Sequence, residues 1–538
     1  MEHSYIQITD LPDELLIMIF KKLNNMQVLQ SVLDANIRFN KIARDSTFTS
    51  RLTLFRWSSD NFIYPLADSI LDRFIIQIIP QVHHNVKWLG IESSSLQRIL
   101  LAAKYPNLNG LVIFNISEEI TRRLFTEENQ LTHIFKNQIT RLVISICDSK
   151  KDYWTDEEQI SVFTRMLNAF SNIRDLKLYS PSNLCVDRLS FKNHRPTFFS
   201  STLLEFHVHV QSFSDCLYLL DGRFNQLHTL IVTIDWILTS QPMNNNREEL
   251  PNLTCFSLTV LSNVHFYDQS VLPLLRRMTN LRKLALYIAV DHYEKFIDGN
   301  DLKKTIINHL PRLNEFVFNI RSIIYPNDDI HLLTNEQIQN TFTSFVRNKI
   351  ISCVDYFPKK KTGRCHIYSH PYTMKYYHDI TNNFPGGLFK CVCEVSLFDE
   401  QPFEHDFFLR ISQSFPFMER LTLSNFKSQK YKQHTKSTND IKDCSIIEYH
   451  HLTKLVLLDV NLDYVEQFLD KTKTSFTNNI FLTIKSYLLG KGTNYFTRSE
   501  LRANCAKVYG LNIFGELKTR KNLNAYFPNV NKIQFSCC

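Results

Sequence analysis

The chain has 538 residues, of which 44% are apolar and 21% charged, a composition typical of folded domains and not of disordered segments. Only 11 residues are glycine, which disfavours glycine-rich phosphate loops. The net charge of +8 is small for this length and the basic residues are scattered, so the composition gives little support for nucleic-acid binding.

The N-terminus lacks the basic start and apolar run of a signal peptide, and no apolar run is long enough to mark a membrane span. The twelve cysteines include the close pairs Cys391 with Cys393 and Cys537 with Cys538. Neither pair has the C-x-x-C spacing of zinc or thioredoxin-like sites. We therefore expect a cytoplasmic or nuclear protein with reduced thiols, and with no metal, no cofactor and no membrane contact.

The segment ITDLPDELLIMIFKKL at residues 8–23 predicts the first helix. Pro12 suits the first helical position, where its missing N–H costs nothing. A helix this short is marginal alone in water, so its apolar side must pack against this chain or another one. The apolar positions follow helical spacing, and they are Leu11, Leu15, Leu16, Ile19, Phe20 and Leu23.

Two further helices are predicted directly after the first. Val28, Leu29, Val32 and Leu33 indicate the second helix. The third is indicated by Ile37, Phe39, Ile42 and Ala43.

The three predicted helices resemble the F-box. That family's pattern opens with Leu-Pro, then Glu, two apolar positions and an Ile-Phe pair, and it is met by Leu11, Pro12, Glu14, Leu15, Leu16, Ile19, Phe20 and Leu23. A later apolar pair corresponds to Val28 and Leu29. The closing run is met loosely by Arg38, Phe39, Ile42 and Ala43, since Phe39 stands where Trp is usual and the usual Cys falls among Ala35 and Asn36.

The resemblance implies a binding surface. F-box proteins bind a Skp-family adaptor and, through it, a cullin, forming an SCF-type ubiquitin ligase, while the rest of the chain holds the substrate. The implied adaptor-binding residues are Leu11, Pro12, Leu15, Leu16, Ile19, Phe20, Leu23, Val28 and Leu29. We expect the first six of them to be more exposed than a core stripe. The alternative is a helical cap that only covers the first strand of the body. We assign residues 5–50 to this domain and 51–85 to connector helices.

A repeated template occupies residues 86–538: apolar, two free positions, apolar, one free, apolar. Most intervals are 22 to 34 residues, and Pro or Asn often precedes the first apolar residue, which we call the anchor. Because proline tends to end a helix, each strand should follow a helix. The anchors are Val86, Leu108, Ile139, Ile173, Leu203, Leu227, Leu253, Leu281, Leu313, Val392, Met418, Leu452, Val508 and Val530.

Each repeat is predicted to contain a strand, a loop, a helix and a connection back to the next strand. A single repeat cannot bury its own apolar face. Stacked units can do so, with the strands side by side in a parallel sheet and the helices outside. The runs NKIISCVDYF and IFLTI predict further strands in the two long gaps. The pattern resembles irregular leucine-rich repeats. We predict an α/β fold, in which a short three-helix F-box precedes a curved leucine-rich-repeat-like solenoid. A non-repeating α/β domain is the alternative.

Catalytic motifs are sparse. The most metal-like stretch is GRCHIYSH, with Cys365, His366 and His370, but it predicts a strand without a second ligand pair, so we interpret these as ordinary side chains. A Cys/His nucleophile pair stays open as an alternative. Without paired C-x-x-C motifs or a recognisable catalytic set, we expect no enzyme activity in this chain. Any ubiquitin transfer would then belong to its partners.

The basic stretch FKSQKYKQHTKSTNDIK lies between two predicted strands. Its many polar residues predict a solvated loop. A sharper interpretation is contact with an acidic or phosphorylated partner. Its lysines are Lys427, Lys430, Lys432, Lys436 and Lys442.

The outward face of the sheet is the predicted substrate surface. Side chains alternate across a strand, so positions two, four and six after each anchor point away from the helices. The second positions carry charges of both signs, which favours a protein substrate over nucleic acid. The candidate substrate-binding residues, expected to be exposed, are Trp88, Phe114, Tyr179, His207, His209, Tyr287 and Phe398. The alternative is that loops or the curvature of the sheet bury these side chains.

Three functions are thus open from the sequence. The first is the substrate receptor of an SCF-type ligase. The second is a repeat-based interaction scaffold unconnected with ubiquitin transfer. The third is an enzyme of unrecognised type.

Overall fold

The computed structural model describes residues 7–58, 63–126, 129–146, 155–178, 188–192, 198–238, 249–291, 295–325, 333–343, 345, 349–430, 445–517 and 522–536. The chain forms two compact units. The first unit comprises Met1–Leu261 and Asp268–Lys283, and the second comprises Ser262–Tyr267 and Leu284–Cys538. Helices in the described ranges all fall short of the length and apolar character that crossing a bilayer requires.

The N-terminal helices lie where the sequence predicts them. They are α1 (Asp13–Phe20), α2 (Asn25–Val32) and α3 (Ile37–Ala43), followed by a short α4 (Ser46–Thr49). Side-chain caps set the starts of α2 and α3, because Asn24 accepts a hydrogen bond from the Gln27 N–H and Asn36 accepts one from the Phe39 N–H.

The rest of the first unit alternates strands with helices. Residues 51–85, predicted as connector helices, also contain three strands. In chain order the elements are β1 (Arg51–Leu54), β2 (Arg56–Trp57), β3 (Ile63–Tyr64), α5 (Asp68–Arg73), α6 (Ile79–Val82), β4 (Trp88–Glu92), α7 (Leu96–Leu100), β5 (Gly110–Phe114), α8 (Glu118–Leu124), α9 (Gln130–Phe135), β6 (Arg141–Ile144), α10 (Asp156–Ala169), β7 (Asp175–Leu178), β8 (Glu205–Ser212), α11 (Phe213–Leu219), β9 (Thr229–Trp236), β10 (Cys255–Val264) and α12 (Tyr267–Arg276).

The strands of the first unit form a parallel sheet in the order β1-β4-β5-β6-β7-β8-β9-β10. From β4 onward each strand begins two residues after its predicted anchor, so the predicted strands are confirmed here. In β8, buried and half-buried residues alternate strictly through Phe206, Val208 and Val210. This alternation places one row of side chains in the core and the other on the outward face.

The second unit continues the alternation. Its elements are β11 (Lys283–Val290), α13 (Gly299–Thr305), β12 (Glu315–Ile324), α14 (Asn335–Asn340), β13 (Lys349–Phe357), β14 (Thr362–His370), β15 (Tyr376–Ile380), β16 (Glu394–Phe398), α15 (His405–Ser414), β17 (Arg420–Asn425), β18 (Ile447–Tyr449), β19 (Lys454–Val460), α16 (Leu462–Leu469), β20 (Thr474–Phe476), β21 (Ile480–Lys485), α17 (Ser486–Gly492), α18 (Arg502–Cys505), β22 (Val508–Phe514), α19 (Leu523–Tyr526) and β23 (Lys532–Ser536).

The second unit contains a parallel sheet in the order β15-β16-β17-β19-β21-β22-β23. Before it, β12, β14 and β13 pair antiparallel, with β13 and β14 joined as a hairpin that closes at Phe357 and Thr362. The strand predicted from NKIISCVDYF is therefore present, but it does not extend the parallel repeat. All fourteen anchored segments form strands, so the mixed α/β class with large parallel sheets is confirmed.

Candidate interaction surfaces

Helix α1 has apolar residues on two faces. Leu16 and Phe20 are buried in the helical core, where the Phe20 ring lies 5.6 Å from Phe39 and 6.4 Å from Phe48, both edge-on. The expectation that Leu16 and Phe20 are exposed is therefore wrong. Val28 and Leu29, also predicted to contact an adaptor, are fully buried. These four side chains hold the helices together and offer little surface to a partner.

The opposite face of α1 is exposed. Leu15, Met18 and Ile19 on α1, and Leu23 after its end, have 44%, 63%, 41% and 42% of their surface accessible. With the half-buried Leu11 before the helix they form what we call the exposed stripe. Pro12 is exposed beside it. Met18 was not predicted, although its spacing of three residues from Leu15 is the signal that could have included it.

The segment leading into α1 is held by one arginine. The Arg38 guanidinium donates hydrogen bonds to Asp13 Oδ1 at 2.7 Å, to the Thr9 carbonyl at 2.7 Å and to the Leu11 carbonyl at 2.6 Å. The three acceptors surround the start of α1, so α3 fixes where the exposed stripe begins.

On the outward face of the first unit, the residues two positions after each anchor line up in one row across the strands. The paired Cα atoms run through Arg51, Trp88, Gly110, Arg141, Asp175, Glu205 and Thr229. Trp88 is half-exposed, its ring lies against Gly110, and the Arg51 guanidinium sits 5.3 Å from the ring centroid. The sequence pattern therefore predicts the row correctly.

Phe114 does not reach the surface. Phe55, which precedes β2, and Trp57 on β2 cover it, with ring centroids 4.9 and 6.5 Å from the Phe114 ring. Phe55, Ile63 and Phe114 form a small buried cluster. The expected exposure of Phe114 is wrong because these covering residues lie outside the repeats. Tyr179 lies outside the described residues.

His207 and His209 are half-buried and bound to carboxylates. His207 Nε2 lies 2.5 Å from Glu205 Oε1, and His209 Nε2 lies 2.7 Å from Asp235 Oδ1. Burial lowers the pKa of His207 below its usual value, although the Glu205 carboxylate opposes this. Burial raises the pKa of Asp235, but its bonds to His209 and Arg188 outweigh that effect and lower it. Both histidines belong to networks paired within the chain.

One cluster on this face has the composition of a metal site. Asp175, Glu205 and His207 each place one possible ligand atom within 4.8 Å of the others. Two carboxylates and an imidazole suit a cation such as zinc. The Lys177 ammonium, however, lies 3.2 Å from Glu205 Oε1 and 3.8 Å from Asp175 Oδ2. Since Lys177 already supplies positive charge, the cluster is an ion-pair network and we assign it no metal.

In the second unit, Tyr287 is buried and not exposed as predicted. Only 1% of its surface is accessible, and its ring packs 5.5 Å from Tyr376 and 5.6 Å from His378. Its hydroxyl oxygen accepts a hydrogen bond from the His378 N–H at 3.1 Å. The Arg321 guanidinium lies 5.2 Å from the ring centroid. Strand β15, which the template does not predict, supplies this cover.

A buried ion pair lies next to Tyr287. Arg321 donates to Asp379 Oδ2 at 2.5 Å, and Arg364 Nη1 lies 3.9 Å from Asp379 Oδ1. Burial raises the pKa of Asp379, but the two guanidinium groups outweigh it and hold the pKa well below its usual range. The carboxylate therefore stays charged and ties β15 to the antiparallel strands.

The GRCHIYSH stretch forms β14 and does not gather its polar groups. Cys365 and His366 are buried and, as neighbours in a strand, point to opposite faces, whereas His370 is exposed at the strand end. His366 Nε2 lies 3.0 Å from Asn319 Oδ1, and burial lowers the pKa of His366 to about 3. A neutral, hydrogen-bonded core histidine accounts for this residue.

Phe398 is half-buried beneath two cations. The Lys360 ammonium lies 4.0 Å from its ring centroid and the Arg364 guanidinium 5.1 Å away. The Phe357 ring packs edge-on at 5.2 Å. Of the predicted substrate residues that are described, Trp88, His207, His209 and Phe398 thus retain partial exposure.

No protein-family model matches this chain, and no curated protein matches it either.

Proposed function

We propose that this protein is a non-catalytic substrate-recognition subunit of an SCF-type ubiquitin ligase. In this proposal the N-terminal helices bind a Skp-family adaptor, and through it a cullin, while the sheet-bearing units bind a protein substrate. The observation that carries the proposal is the exposed stripe on α1, which coincides with the F-box-like sequence. The helices already have a buried apolar core, yet the stripe stays exposed to water. Such an exposed apolar row favours binding of a partner that covers it.

The exposed stripe can contribute part of the binding free energy of an interface. Burying each of four large apolar side chains contributes about 1.5–3 kcal/mol if the side chain is fully covered. Association costs several kcal/mol in lost freedom, and the four are already half covered. The net binding free energy that is left suits an anchor within a larger interface. In this proposal the buried residues Leu16, Phe20, Val28 and Leu29 contribute indirectly, because they fix the position of α1.

The experiment is adaptor binding by a variant with Leu15→Ala, Met18→Ala and Ile19→Ala. Because all three side chains are exposed, the fold should survive, and affinity for a purified Skp-family adaptor should fall by about 100-fold or more. The matched control is Ile70→Ala with Ile76→Ala, two exposed apolar residues outside the stripe, which should leave affinity unchanged. Wild-type affinity in a folded triple variant would refute the proposal.

A repeat-based interaction scaffold is the second candidate, and one observation favours it. The N-terminal helices are bonded to the first strands: Asn25 Nδ2 donates to the Arg51 carbonyl at 2.9 Å, and the Ser50 carbonyl accepts from the Lys87 and Trp88 N–H groups at 2.9 and 3.0 Å. These bonds suit a cap on the parallel sheet. Under this alternative, the wild-type chain would show no affinity for the adaptor.

A further inference from the structure

A group of lysines and one aromatic ring lies together in the second unit. The turn of the β13–β14 hairpin carries Lys359, Lys360 and Lys361, and the loop after β17 carries Lys427 and Lys430. Between the two loop lysines and β17 stands Phe426, with 68% of its surface accessible. We call these six residues the lysine surface.

The two segments are close in space although they are distant in sequence. The Lys360 ammonium lies 4.0 Å from the Phe398 ring centroid, and Phe398 on β16 pairs in register with Ser424 on β17, just before Phe426. Consistent with this closeness, Lys359 lowers the pKa of Lys427. The turn is fixed in place, because the N–H groups of Lys359 and Lys360 donate to the two carboxylate oxygens of Glu400 at 2.9 and 2.8 Å. The backbone of the turn is therefore fixed close to the end of β17.

The five ammonium groups lack close carboxylate partners within the described part of the chain, although Lys360 lies over the Phe398 ring. None of the five lysines forms an ion pair with a described carboxylate within 4.0 Å. Asp399 accepts hydrogen bonds from the N–H groups of Asn382 and Gln401, and Glu404 accepts from the Lys430 N–H. With Glu400, these three carboxylates stay charged, but five lysines outnumber them, so the surface keeps a positive excess.

Phe426 gives this charged surface an apolar centre. Its carbonyl accepts from Asn461 Nδ2 at 3.3 Å, which holds the residue at the start of α16. An exposed aromatic ring near several exposed lysines has the composition of a protein-binding hot spot with a charged rim. Asp399, Glu400 and Glu404 repel any anion above them, so a short segment whose few carboxylates meet only the lysines is favoured over a long, evenly charged polyphosphate.

We propose that the lysine surface is a docking site for an acidic segment of a partner protein. An apolar side chain of that segment covers Phe426, and neighbouring Asp or Glu side chains pair with the lysines. The site makes no use of the exposed stripe, so it holds whether or not an adaptor binds.

The test uses a fluorescein-labelled peptide of Asp and Glu with one central Leu, and fluorescence anisotropy on the full chain. The wild-type chain should bind it, and should bind a matched Asn/Gln peptide about tenfold or more weakly. Affinity should fall as salt is added, because exposed charges are screened. No binding by the wild-type chain, or equal binding of both peptides, would overturn the proposal.

Charge reversal locates the site. The triple variant Lys359→Glu, Lys360→Glu and Lys427→Glu should lose at least about tenfold in affinity. The control reverses three other exposed lysines, Lys303→Glu, Lys304→Glu and Lys390→Glu, and carries the same net charge. An equal loss in the control would show that overall charge, and not this surface, binds the peptide.

Two further measurements examine the chemistry of the partner. Phe426→Ser, which keeps the charge constant, should weaken binding about fivefold. An unchanged affinity would contradict the apolar centre. A single-stranded oligonucleotide with the charge of the peptide should bind more weakly than the peptide, and tighter binding by the oligonucleotide would replace the proposed protein partner by a nucleic acid.

Discussion

The two units contain the same arrangement on three neighbouring strands: a cation, then an aromatic ring, then a glycine. In the first unit these are Arg51, Trp88 and Gly110, which are paired in register across β1, β4 and β5. In the second unit they are Lys454 on β19, Phe481 on β21 and Gly510 on β22, paired in the same way. A ring lies across the glycine in both units, and the Lys454 ammonium is 5.9 Å from the Phe481 ring centroid.

The surroundings of the two arrangements differ. Trp88 is half-exposed beside an exposed Arg51, whereas Phe481 has 2% of its surface accessible. Burial lowers the pKa of Lys454 to about 8, with Arg420 adding to the effect and Glu394 opposing it. The repeat template therefore sets which strand position a side chain occupies, but neighbouring residues decide whether that position is surface or core.

The largest expected effect distinguishes the two glycines. A Cβ at Gly510 would lie 2.5 Å from Phe481 Cδ2, and one at Gly110 would lie 1.8 Å from Trp88 Cε3. Trp88 can rotate into water but Phe481 cannot, so Gly510→Ala should cost about 3 kcal/mol and Gly110→Ala about 1 kcal/mol, measured by urea unfolding.

Double variants serve as controls for the glycine changes. Adding Trp88→Ala to Gly110→Ala should remove the cost of the added methyl, because the clashing ring is gone, and Phe481→Ala should do the same for Gly510→Ala. Costs that simply add would show that neither ring limits the space at its glycine.

The second prediction concerns Lys454 and pH. Below pH about 8 the lysine is charged in both the folded and the unfolded chain, so its burial costs stability. Between about 8 and its ordinary value of 10.5, the unfolded chain keeps a proton that the folded chain has lost, and the free energy of unfolding rises with pH. The gain should be about 2 kcal/mol after allowance for partial exposure.

Lys454→Met tests this pH dependence. The variant should be more stable than wild type below pH 8, and the difference should vanish near pH 10.5. Unfolding by urea at several pH values measures it. A difference that stays constant with pH would mean that Lys454 titrates normally.

The smallest effect belongs to the cation in the first unit. Arg51→Met removes an exposed guanidinium from the Trp88 ring and should cost about 0.5–1 kcal/mol. Arg51→Lys should recover part of this because it keeps the charge. A cost as large as that of Gly510→Ala would erase the contrast between the exposed and the buried arrangement.

Much of the fold could be predicted from the sequence, because buried apolar residues recur at the regular spacing that the template describes. The strands begin near their anchors since the apolar residues at each anchor must face the core. The direction of β13 and β14 could not be predicted in this way. Alternation of apolar and polar residues is the same in parallel and antiparallel strands, and only the turn at Lys359–Lys361 joins them as a hairpin.

The candidate surfaces were harder to predict. Phe114 and Tyr287 occupy outward positions, yet residues far away in the sequence cover them. In α1 the run LLIMIF is apolar at every position, so its pattern does not indicate which face packs inward. Only the contact of Phe20 with Phe39 and Phe48 decides this, and such contacts are not encoded in local spacing.

The three hydrogen bonds of Arg38 have a kinetic consequence for any partner of the exposed stripe. Because Thr9, Leu11 and Asp13 are already held against α3, the start of the stripe is ordered before any encounter. A partner then has no segment to order there, and its association rate is set by diffusion and orientation instead of by a folding step. Arg38→Met would loosen the segment that leads into α1 and leave the side chains of the stripe unchanged. It should therefore lower the association rate of a partner more than it raises the dissociation rate.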